Sequence, residues 1–250
     1  MTAQAVLQDA STDAARILAL LPGIRRAATP EQALELLCQV VRMIGAGSGV
    51  FLSAIKDDAS RSSIRSLLAC DPQWVVEYSR IDWHDGDPWL RHALENQTPI
   101  NGSEISVRPS EEAFIQRSSA LGFASSIIVP APTSLGAARF GVLILGSSQP
   151  GHFDREDQGL IQIVARALAM EIHEWLLQAA RENLLERSRL TPVEIDLLRH
   201  EAAGHTSKMI AAASNVKSQT VDCWFQRVNA KLNAPDRRTA MRVARLYGVI

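Results

Sequence analysis

Two hydrogen-bond donors and one acceptor are spaced so that they could hold a small molecule together. Trp74 and Tyr78 are four residues apart and would share one face of a helix, and Asp87 directly precedes Pro88. A buried indole N–H and a phenol O–H donate, whereas an ionised carboxylate only accepts. Around an apolar space, such a set suits a ligand with an amide or a lactone and an apolar tail. Trp and Tyr at this spacing are also typical of a core, and Asp before Pro of a helix cap, so a purely structural role stays open here.

The segments that would position these side chains alternate between helical and strand patterns. Strands occur in adjacent pairs, separated by a polar turn at 56–61 and a turn-rich segment at 132–136. Asp154 is expected to cap a long helix that ends near Arg187. The predicted strands cover 48–55, 63–68, 125–130 and 138–145, and the other predicted helices 12–22, 30–45, 72–79, 88–96 and 110–121. This order predicts an α+β protein whose N-terminal part is an α/β/α sandwich, an antiparallel sheet with helices on both faces.

The last part of the chain, residues 190–250, carries the signals of a helix-turn-helix. Thr191 and Glu194 have the spacing of a capping box around Pro192, and Gly204 is expected to end the helix that they begin. A second helix begins at Thr206 and ends in a tight turn at 214–216. Ser218 is expected to cap a third helix from 219 to about 232. Two helices joined by a short turn form the unit that places its second helix in a DNA major groove.

The third helix of this all-α part is amphipathic, which leaves its outer face free for DNA. The predicted inner face consists of Val221, Phe225, Val228 and Leu232. Gln226 and Arg227 are expected to read base edges, because amide and guanidinium groups pair with them in the major groove. Lysines are expected to contact phosphate. The predicted DNA-binding residues are Lys208, Lys217, Ser218, Gln219, Thr220, Gln226, Arg227 and Lys231.

The charge of the chain is divided unequally between its two parts. Residues 187–250 contain eleven basic and five acidic residues and so carry a net charge of +6. Residues 1–186 contain fifteen basic and twenty-two acidic residues and so carry a net charge of −7. The overall charge of −1 therefore conceals a basic part joined to an acidic one. A basic patch provides the salt-dependent attraction to phosphate on which DNA binding depends.

Composition and motifs limit the protein class further. A chain of 250 residues allows two ordinary domains, and no apolar run is long enough for a membrane span or follows a basic start as in a secretory signal. The three cysteines are far apart, which favours a reducing, cytoplasmic location. The chain has no Gly-x-Ser-x-Gly motif and its histidines lack metal-ligand spacing, so we expect neither an enzyme nor a metal or cofactor site. Asp57 and Asp58 lack the companion acids of a phosphorylated receiver domain.

With these motifs in view, the chain resembles LuxR-type quorum-sensing transcription factors over nearly its whole length. The matching residues are Trp74, Tyr78, Asp87, Pro88, Gly122, Pro130, Gly141, Leu190, Thr191, Pro192, Glu194, Gly204, Thr206, Ile210, Ala211, Thr220, Val221, Lys231, Leu232, Arg237 and Ala240. The resemblance implies an autoinducer-binding-like domain over 1–175, a helical linker over 176–188 and the DNA-binding domain over 189–250. It also implies an N-acyl homoserine lactone as ligand. Trp74 would donate to the lactone carbonyl, Tyr78 to the acyl carbonyl, and Asp87 would accept from the amide N–H.

The residues that would form the wall of the ligand site depart from the family pattern. Ile115 stands where members usually have Trp, Ile144 where some have Ser or Thr, and Cys70 where Tyr is frequent. Trp89 is bulkier than the usual residue after Asp-Pro, and all four are expected to line the ligand. In the tail, Met209 replaces a usual Glu and Trp224 a usual His. In the N-terminal part, Ser126 stands where family members have a Gly. The polar residues Trp74, Tyr78 and Asp87 match the family pattern, whereas the residues around them differ from it. This combination indicates a changed acyl-chain preference, a different ligand, or a reduced need for ligand.

The expected function is therefore ligand-controlled binding of double-stranded DNA by a homodimer at an inverted-repeat operator. The alternative is a ligand-independent regulator of the same family whose own side chains fill the pocket. An apolar stripe in the last helix is expected either to pair the tails of the dimer or to pack on the core of its own tail. The stripe consists of Ala240, Val243, Ala244 and Tyr247.

Overall fold

The computed structural model describes residues 3–56, 62–80, 86–133, 138–154 and 159–250. It divides into two compact units: Met1–Ala54 with Ile64–Trp175, and Ile55–Ser63 with Leu176–Ile250. The helices of the first part are α1 Ala3–Arg25, α2 Pro30–Met43, α3 Pro72–Tyr78, α4 Pro88–Glu95 and α5 Glu112–Ser118, and α6 covers Gly159–Ser188. The strands are β1 Ser48–Lys56, β2 Ser62–Ala69, β3 Ile100–Asn101, β4 Ser125–Ala131 and β5 Arg139–Ser147.

The strands form one sheet in the order β2-β1-β5-β4-β3. β4 runs antiparallel to β5, with Ile128 opposite Ile144, and antiparallel to β3, with Ile100 opposite Ile128. The predicted antiparallel sheet is thus confirmed. The sequence pattern missed β3, because a strand of two residues is too short to show an alternation of apolar and polar side chains.

Alternate residues of the central strands face opposite layers of helices. Val50 and Ile144 belong to a core cluster with residues of α3, α4 and α5. On the other face, a Cβ at Gly49 would lie 2.6 Å from Val41 of α2, so strand and helix are in close contact there. Since both faces are covered, the predicted α/β/α sandwich is confirmed.

The helices that carry the candidate site begin where side-chain caps and prolines coincide. Asp71 accepts from the backbone N–H of Gln73 at 2.8 Å before Pro72, and Asp87 caps α4 before Pro88. A proline at the first helical position has no N–H to leave unpaired, and the capping carboxylate satisfies the next donors. Local sequence therefore determines where α3 and α4 start.

Three expectations about the part of the chain before α7 need correction or fall outside the described residues. The single helix expected at 110–121 is instead a 3₁₀ turn at Pro109–Glu111, then α5, then a wide turn at Ser119–Phe123. Gly122 has φ +98°, which a continuous α-helix does not allow. Residues 57–61 of the turn expected at 56–61, Asp57 and Asp58 among them, and part of the turn at 132–136 lie outside the described residues. So do the residues between Asp154 and Gly159, where the cap of α6 would lie.

The second unit contains the helix-turn-helix that the sequence predicts. Its helices after α6 are α7 Pro192–Ala202, α8 Ser207–Ser214, α9 Ser218–Leu232 and α10 Arg237–Leu246. The capping box is confirmed: Thr191 N donates to Glu194 Oε2 at 2.8 Å, and Glu194 N to Thr191 Oγ1 at 3.3 Å. Asn215 closes the turn between α8 and α9 in the left-handed region, φ 52°. The capping role expected for Ser218 is wrong, because Ser218 is the first helical residue and no side chain caps α9.

The apolar stripe of α10 packs within its own chain. Ala240 and Ala244 are fully buried, Val243 and Tyr247 nearly so, and α10 contacts both α7 and α9. The interpretation of this stripe as a pairing surface between tails is therefore wrong, since a buried face has nothing left to offer a second copy. No helix among the described residues combines the length and the apolarity needed to cross a membrane.

Candidate ligand site and DNA-binding surface

The three polar side chains singled out in the sequence meet inside the first unit. Trp74 and Tyr78 stack on one face of α3 with ring centroids 4.6 Å apart, and the Tyr78 hydroxyl donates to Asp87 Oδ2 at 2.7 Å. All three are buried, and Asp87 is only 4% exposed. A contact that spans the segment between α3 and α4 thus brings two donors and one acceptor together.

Asp87 has a second, structural task through its other oxygen. Oδ1 accepts from the backbone N–H of Trp89 at 2.8 Å and of Leu90 at 3.0 Å, which caps α4. Burial raises the pKa of Asp87, although the bonds from Tyr78, Leu90 and Trp89 act in the opposite direction. Burial, together with the neighbouring Asp87, also raises the pKa of Tyr78, so its hydroxyl keeps its proton and remains a donor.

Trp74 reaches a residue that the sequence did not indicate. Its indole N–H donates to Ser118 Oγ at 3.4 Å, and Ser118, at the end of α5, is buried. A serine in an amphipathic helix has no spacing signal of its own, so only the tertiary structure identifies it as part of the site.

The four predicted wall residues lie in the same core cluster as the anchors. Trp89 and Ile144 are buried in it, and Cys70 and Ile115 are half-buried against it. Burial, with a smaller contribution from Asp71, raises the pKa of the Cys70 thiol to about 11. The thiol therefore stays protonated and behaves as an apolar wall group.

Aromatic rings pack against one another beside the anchors. The ring of Trp89 lies 4.8 Å from that of Phe114 and 5.5 Å from that of Phe123, between centroids. The cavity bounded by Trp74, Tyr78, Phe114 and their neighbours measures about 10 Å³. This volume suits about one water molecule, whereas small-molecule sites measure hundreds of cubic ångströms. A ligand in this cavity would therefore have to displace side chains of the aromatic cluster, which we define as Trp74, Tyr78, Trp89, Phe114 and Phe123.

A partly buried ion pair holds two walls of the aromatic cluster in place. Arg91 of α4 donates to both carboxylate oxygens of Glu111, at 2.8 and 2.9 Å, and to the Ser106 carbonyl at 2.7 Å. The hydrogen bond from Arg91 lowers the pKa of Glu111 although burial opposes this. Because Glu111 directly precedes α5, the pair fixes Trp89 on α4 relative to Phe114 on α5.

In the second unit, the outer face of α9 is open to a partner. Gln219, Gln226 and Arg227 are exposed, and Ser218 and Thr220 are half-buried. Gln219, Thr220, Gln226 and Arg227 line one open surface together with Cys223, Trp224 and Ala230. Lys208 and Lys217 are exposed on α8 and in the turn before α9. The inner face predicted for this helix is buried, as expected.

Lys231 differs from the other predicted DNA-binding residues. Its ammonium donates to Glu194 Oε2 at 2.6 Å and to the Arg189 carbonyl at 2.9 Å. Burial acts to raise the pKa of Glu194, but the hydrogen bonds from Lys231 and Thr191 lower it overall. Lys231 thus links α9 to the capping box of α7, which is a structural role, and its contact with phosphate stays a prediction.

Further polar contacts set the orientation of α9. Ser207 at the start of α8 donates to Asp222 Oδ1 at 2.7 Å. Arg237 pairs with Glu201 at 3.2 Å and lies 5.6 Å from the ring centroid of Phe225. Two other helices thereby hold α9 so that its outer face projects outward.

The two halves of this arrangement match two family models. Residues 29–174 match the autoinducer binding domain, and residues 188–244 match the bacterial regulatory proteins of the luxR family. The chain belongs to the LuxR family.

Relatives and solved structures agree with this assignment. The chain is 34% identical over 104 residues to the HTH-type quorum sensing-dependent transcriptional regulator VjbR of Brucella abortus and of Brucella melitensis, an alignment that covers 39% of this chain and 40% of VjbR. The crystal structure of Escherichia coli SdiA superposes with a TM-score of 0.75 at 16% identity, covering 94% of this chain and 98% of SdiA. The crystal structure of CepR2 from Burkholderia cenocepacia superposes with a TM-score of 0.56 at 18% identity, covering 66% of this chain and 95% of CepR2. At these identities the structures show a shared fold.

The structural role of Lys231, which links α9 to the capping box of α7, can be tested directly by mutation. Replacement of Lys231 by Met is expected to destabilise the DNA-binding part by about 1–2 kcal/mol, because Glu194 loses its cation and the Arg189 carbonyl its donor. Chemical denaturation followed by circular dichroism measures the change. Replacement of the exposed Lys217 by Met is the matched control and is expected to change stability by less than about 0.5 kcal/mol.

The same variants separate a structural role from a phosphate contact. Loss of a phosphate-binding lysine lowers the salt dependence of DNA binding by about one counterion. We expect that loss for Lys217→Met and not for Lys231→Met. A stable Lys231→Met protein with a reduced salt slope would reverse the assignment.

Proposed function

We propose that this LuxR-family chain is a transcription regulator that binds double-stranded DNA under the control of an N-acyl homoserine lactone or a related acyl signal. Residues 1–175 form the ligand domain, 176–188 a helical linker and 189–250 the DNA-binding domain. The names of its relatives support this: VjbR is a quorum sensing-dependent regulator, and CepR2 is N-acylhomoserine lactone dependent. SdiA has been solved with octanoyl-rac-glycerol, which widens the ligand class to acylated polar headgroups.

The observation that carries the proposal is the buried Tyr78–Asp87 pair beside Trp74. Asp87 Oδ1 is occupied by the cap of α4, whereas Oδ2 accepts from the Tyr78 hydroxyl. A ligand amide N–H takes that position on Oδ2, and the Tyr78 hydroxyl rotates to donate to the acyl carbonyl. Trp74 exchanges its long bond to Ser118 for one to the lactone carbonyl. Trp74, Tyr78 and Asp87 thus each keep a partner when the ligand enters, as buried polar groups require.

Ligand binding couples to DNA binding through stability and assembly. A ligand that binds only the folded ligand domain stabilises it by mass action. A homodimer presents two copies of α9 to two half-sites of an inverted-repeat operator.

On and beside the outer face of α9, base recognition and phosphate binding are assigned to different residues, and this assignment can be measured. Arg227→Ala is expected to relax sequence preference at one position of each half-site, with a loss of about 1–3 kcal/mol on the preferred operator. Lys217→Ala is expected to weaken all sequences alike, because phosphate carries no sequence information. Binding to the preferred operator and to single-base variants measures both. An equal loss on every sequence for both variants would contradict the division.

A second candidate function follows from the aromatic cluster. The cavity beside Trp74 and Tyr78 measures only about 10 Å³, as expected if the side chains themselves complete this part of the core. A regulator of this kind would fold and bind DNA without any signal.

The two functions are separated by producing the protein with and without mixed acyl homoserine lactones. Mass spectrometry of small molecules that copurify with the full chain is expected to find one lactone species, and protein made without lactones is expected to be less stable. Equally stable, dimeric protein with no copurifying ligand under both conditions would favour the ligand-independent regulator.

A further inference from the structure

The indole of Trp89 is fixed next to the ligand anchors. Trp89 is the second residue of α4, and its backbone N–H donates to Asp87 Oδ1 at 2.8 Å, so its position follows that of the anchor carboxylate. The side chain is 2% exposed and packs against the rings of Phe114 and Phe123. Neither ring offers more than a weak π acceptor to an N–H donor.

Among the described residues, the Trp89 indole nitrogen has no hydrogen-bond partner. The other two buried indoles of the described chain do have one: Trp74 donates to Ser118 Oγ at 3.4 Å, and Trp175 to the Ala27 carbonyl at 2.8 Å. Buried indole N–H groups usually find an acceptor, because an unpaired one has lost its water without replacement.

We propose that the Trp89 indole N–H is a hydrogen-bond donor to the ligand and selects a signal with an oxygen on its acyl chain near the amide. This inference rests on the proposed function. In that function Trp74, Tyr78 and Asp87 already bind the lactone carbonyl, the acyl carbonyl and the amide N–H. A fourth donor therefore needs an acceptor outside these groups, and the acyl chain is the part of the ligand that remains. Because Trp89 is anchored to the residue that holds the amide, the oxygen belongs close to the amide, as in 3-oxo and 3-hydroxy chains.

The test compares ligands that differ only in this oxygen. Dissociation constants are measured for the full-length protein with the unsubstituted, 3-oxo and 3-hydroxy forms of butanoyl, octanoyl and dodecanoyl homoserine lactone. For the length that binds best, we expect an oxygenated form to bind about tenfold more tightly than the unsubstituted form. Trp89→Phe keeps an aromatic ring, although a smaller one, and removes the N–H, so it is expected to bind all three forms within a factor of about three.

A second variant separates loss of this donor from general damage to the site. Trp74→Phe removes a donor assigned to the lactone carbonyl, which all the ligands share. It is expected to weaken all three forms alike and to keep the preference for oxygen. If Trp89→Phe did not fold, equal binding of all three forms by the wild-type protein would still overturn the inference.

The outcomes distinguish the inference from the function on which it rests. Tight but equal binding of all three forms by the wild-type protein would overturn the inference and leave the receptor function standing. A preference for oxygen that survives in Trp89→Phe would overturn it too. If none of the lactones bound at any length, the inference and the lactone-receptor function would fall together.

Discussion

Replacement of Asp87 by Ala is expected to abolish ligand binding and to destabilise the first unit by about 2–3 kcal/mol. The size of the effect follows from the two tasks of one carboxylate. Oδ1 caps α4 through two backbone N–H groups, and Oδ2 is the acceptor for Tyr78 at 2.7 Å. Loss of a capping carboxylate alone costs about 1 kcal/mol, and the loss of a buried acceptor adds to it. Chemical denaturation of the ligand-free protein measures the sum.

Asp87→Asn separates the cap from the ligand contact. Asparagine caps helices about as well as aspartate and has the same size, so we expect most of the stability to be kept. Its amide has one acceptor oxygen and donates through its nitrogen, so the ligand amide N–H loses a charge-assisted bond. Affinity for the lactone is expected to fall by about ten- to a hundredfold. A stable Asp87→Asn protein with unchanged ligand affinity would show that Asp87 is only a helix cap.

The second large effect concerns a buried histidine on the opposite face of the sheet. His173 of α6 is 2% exposed, and among the described residues neither ring nitrogen has a hydrogen-bond partner. A Cβ at Gly141 of β5 would lie 2.5 Å from His173 Nδ1, so the absent side chain of the glycine makes room for the ring. Burial, together with the charge of Arg139, lowers the pKa of His173 from 6.5 to about 4. The folded protein therefore holds this imidazole in its neutral form.

This depressed pKa makes the fold sensitive to acid. Above pH 6.5 the histidine is neutral in both the folded and the unfolded chain, so its contribution to stability is fully present. Between pH 6.5 and 4 only the unfolded chain takes up the proton, so stability falls as the pH decreases. The difference of the two pKa values corresponds to a loss of about 3 kcal/mol.

His173→Leu and His173→Gln test this acid sensitivity. Neither side chain ionises, so both variants are expected to lose about 3 kcal/mol less than the wild type when the pH falls from 7 to 4. Leucine also removes the unpaired polar group, whereas glutamine keeps one, so their difference at pH 7 measures the cost of polarity alone. Urea denaturation at the two pH values provides the numbers. Parallel pH profiles for the wild type and both variants would contradict the account.

Much of the fold could be predicted because its signals are local. Thr29, Asp71, Asp87 and Thr191 precede prolines and cap helices, and each of these starts could be read from adjacent residues. The antiparallel sheet followed from paired strand patterns with short turns. The amphipathic pattern of α9 likewise predicted its buried face.

What the sequence could not provide depends on contacts between distant residues. The meeting of Tyr78 with Asp87 was expected from the family resemblance, but their direct bond was not, since spacing does not show which groups satisfy one another. Lys231 was expected at phosphate, but its ammonium pairs with Glu194, thirty-seven residues away. The pairing of Arg91 with Glu111 and the unpartnered indole of Trp89 depend on tertiary packing in the same way.

The measurement that tests the central claim most directly is DNA affinity with and without ligand. An operator is first selected from random duplexes with the full-length protein in the presence of the tightest-binding lactone. Its dissociation constant is then measured at one fixed salt concentration for the wild type and for Asp87→Asn. We predict that the lactone raises the affinity of the wild type at least about tenfold and leaves that of Asp87→Asn nearly unchanged. Equal affinity of the wild type with and without lactone would contradict ligand control of DNA binding.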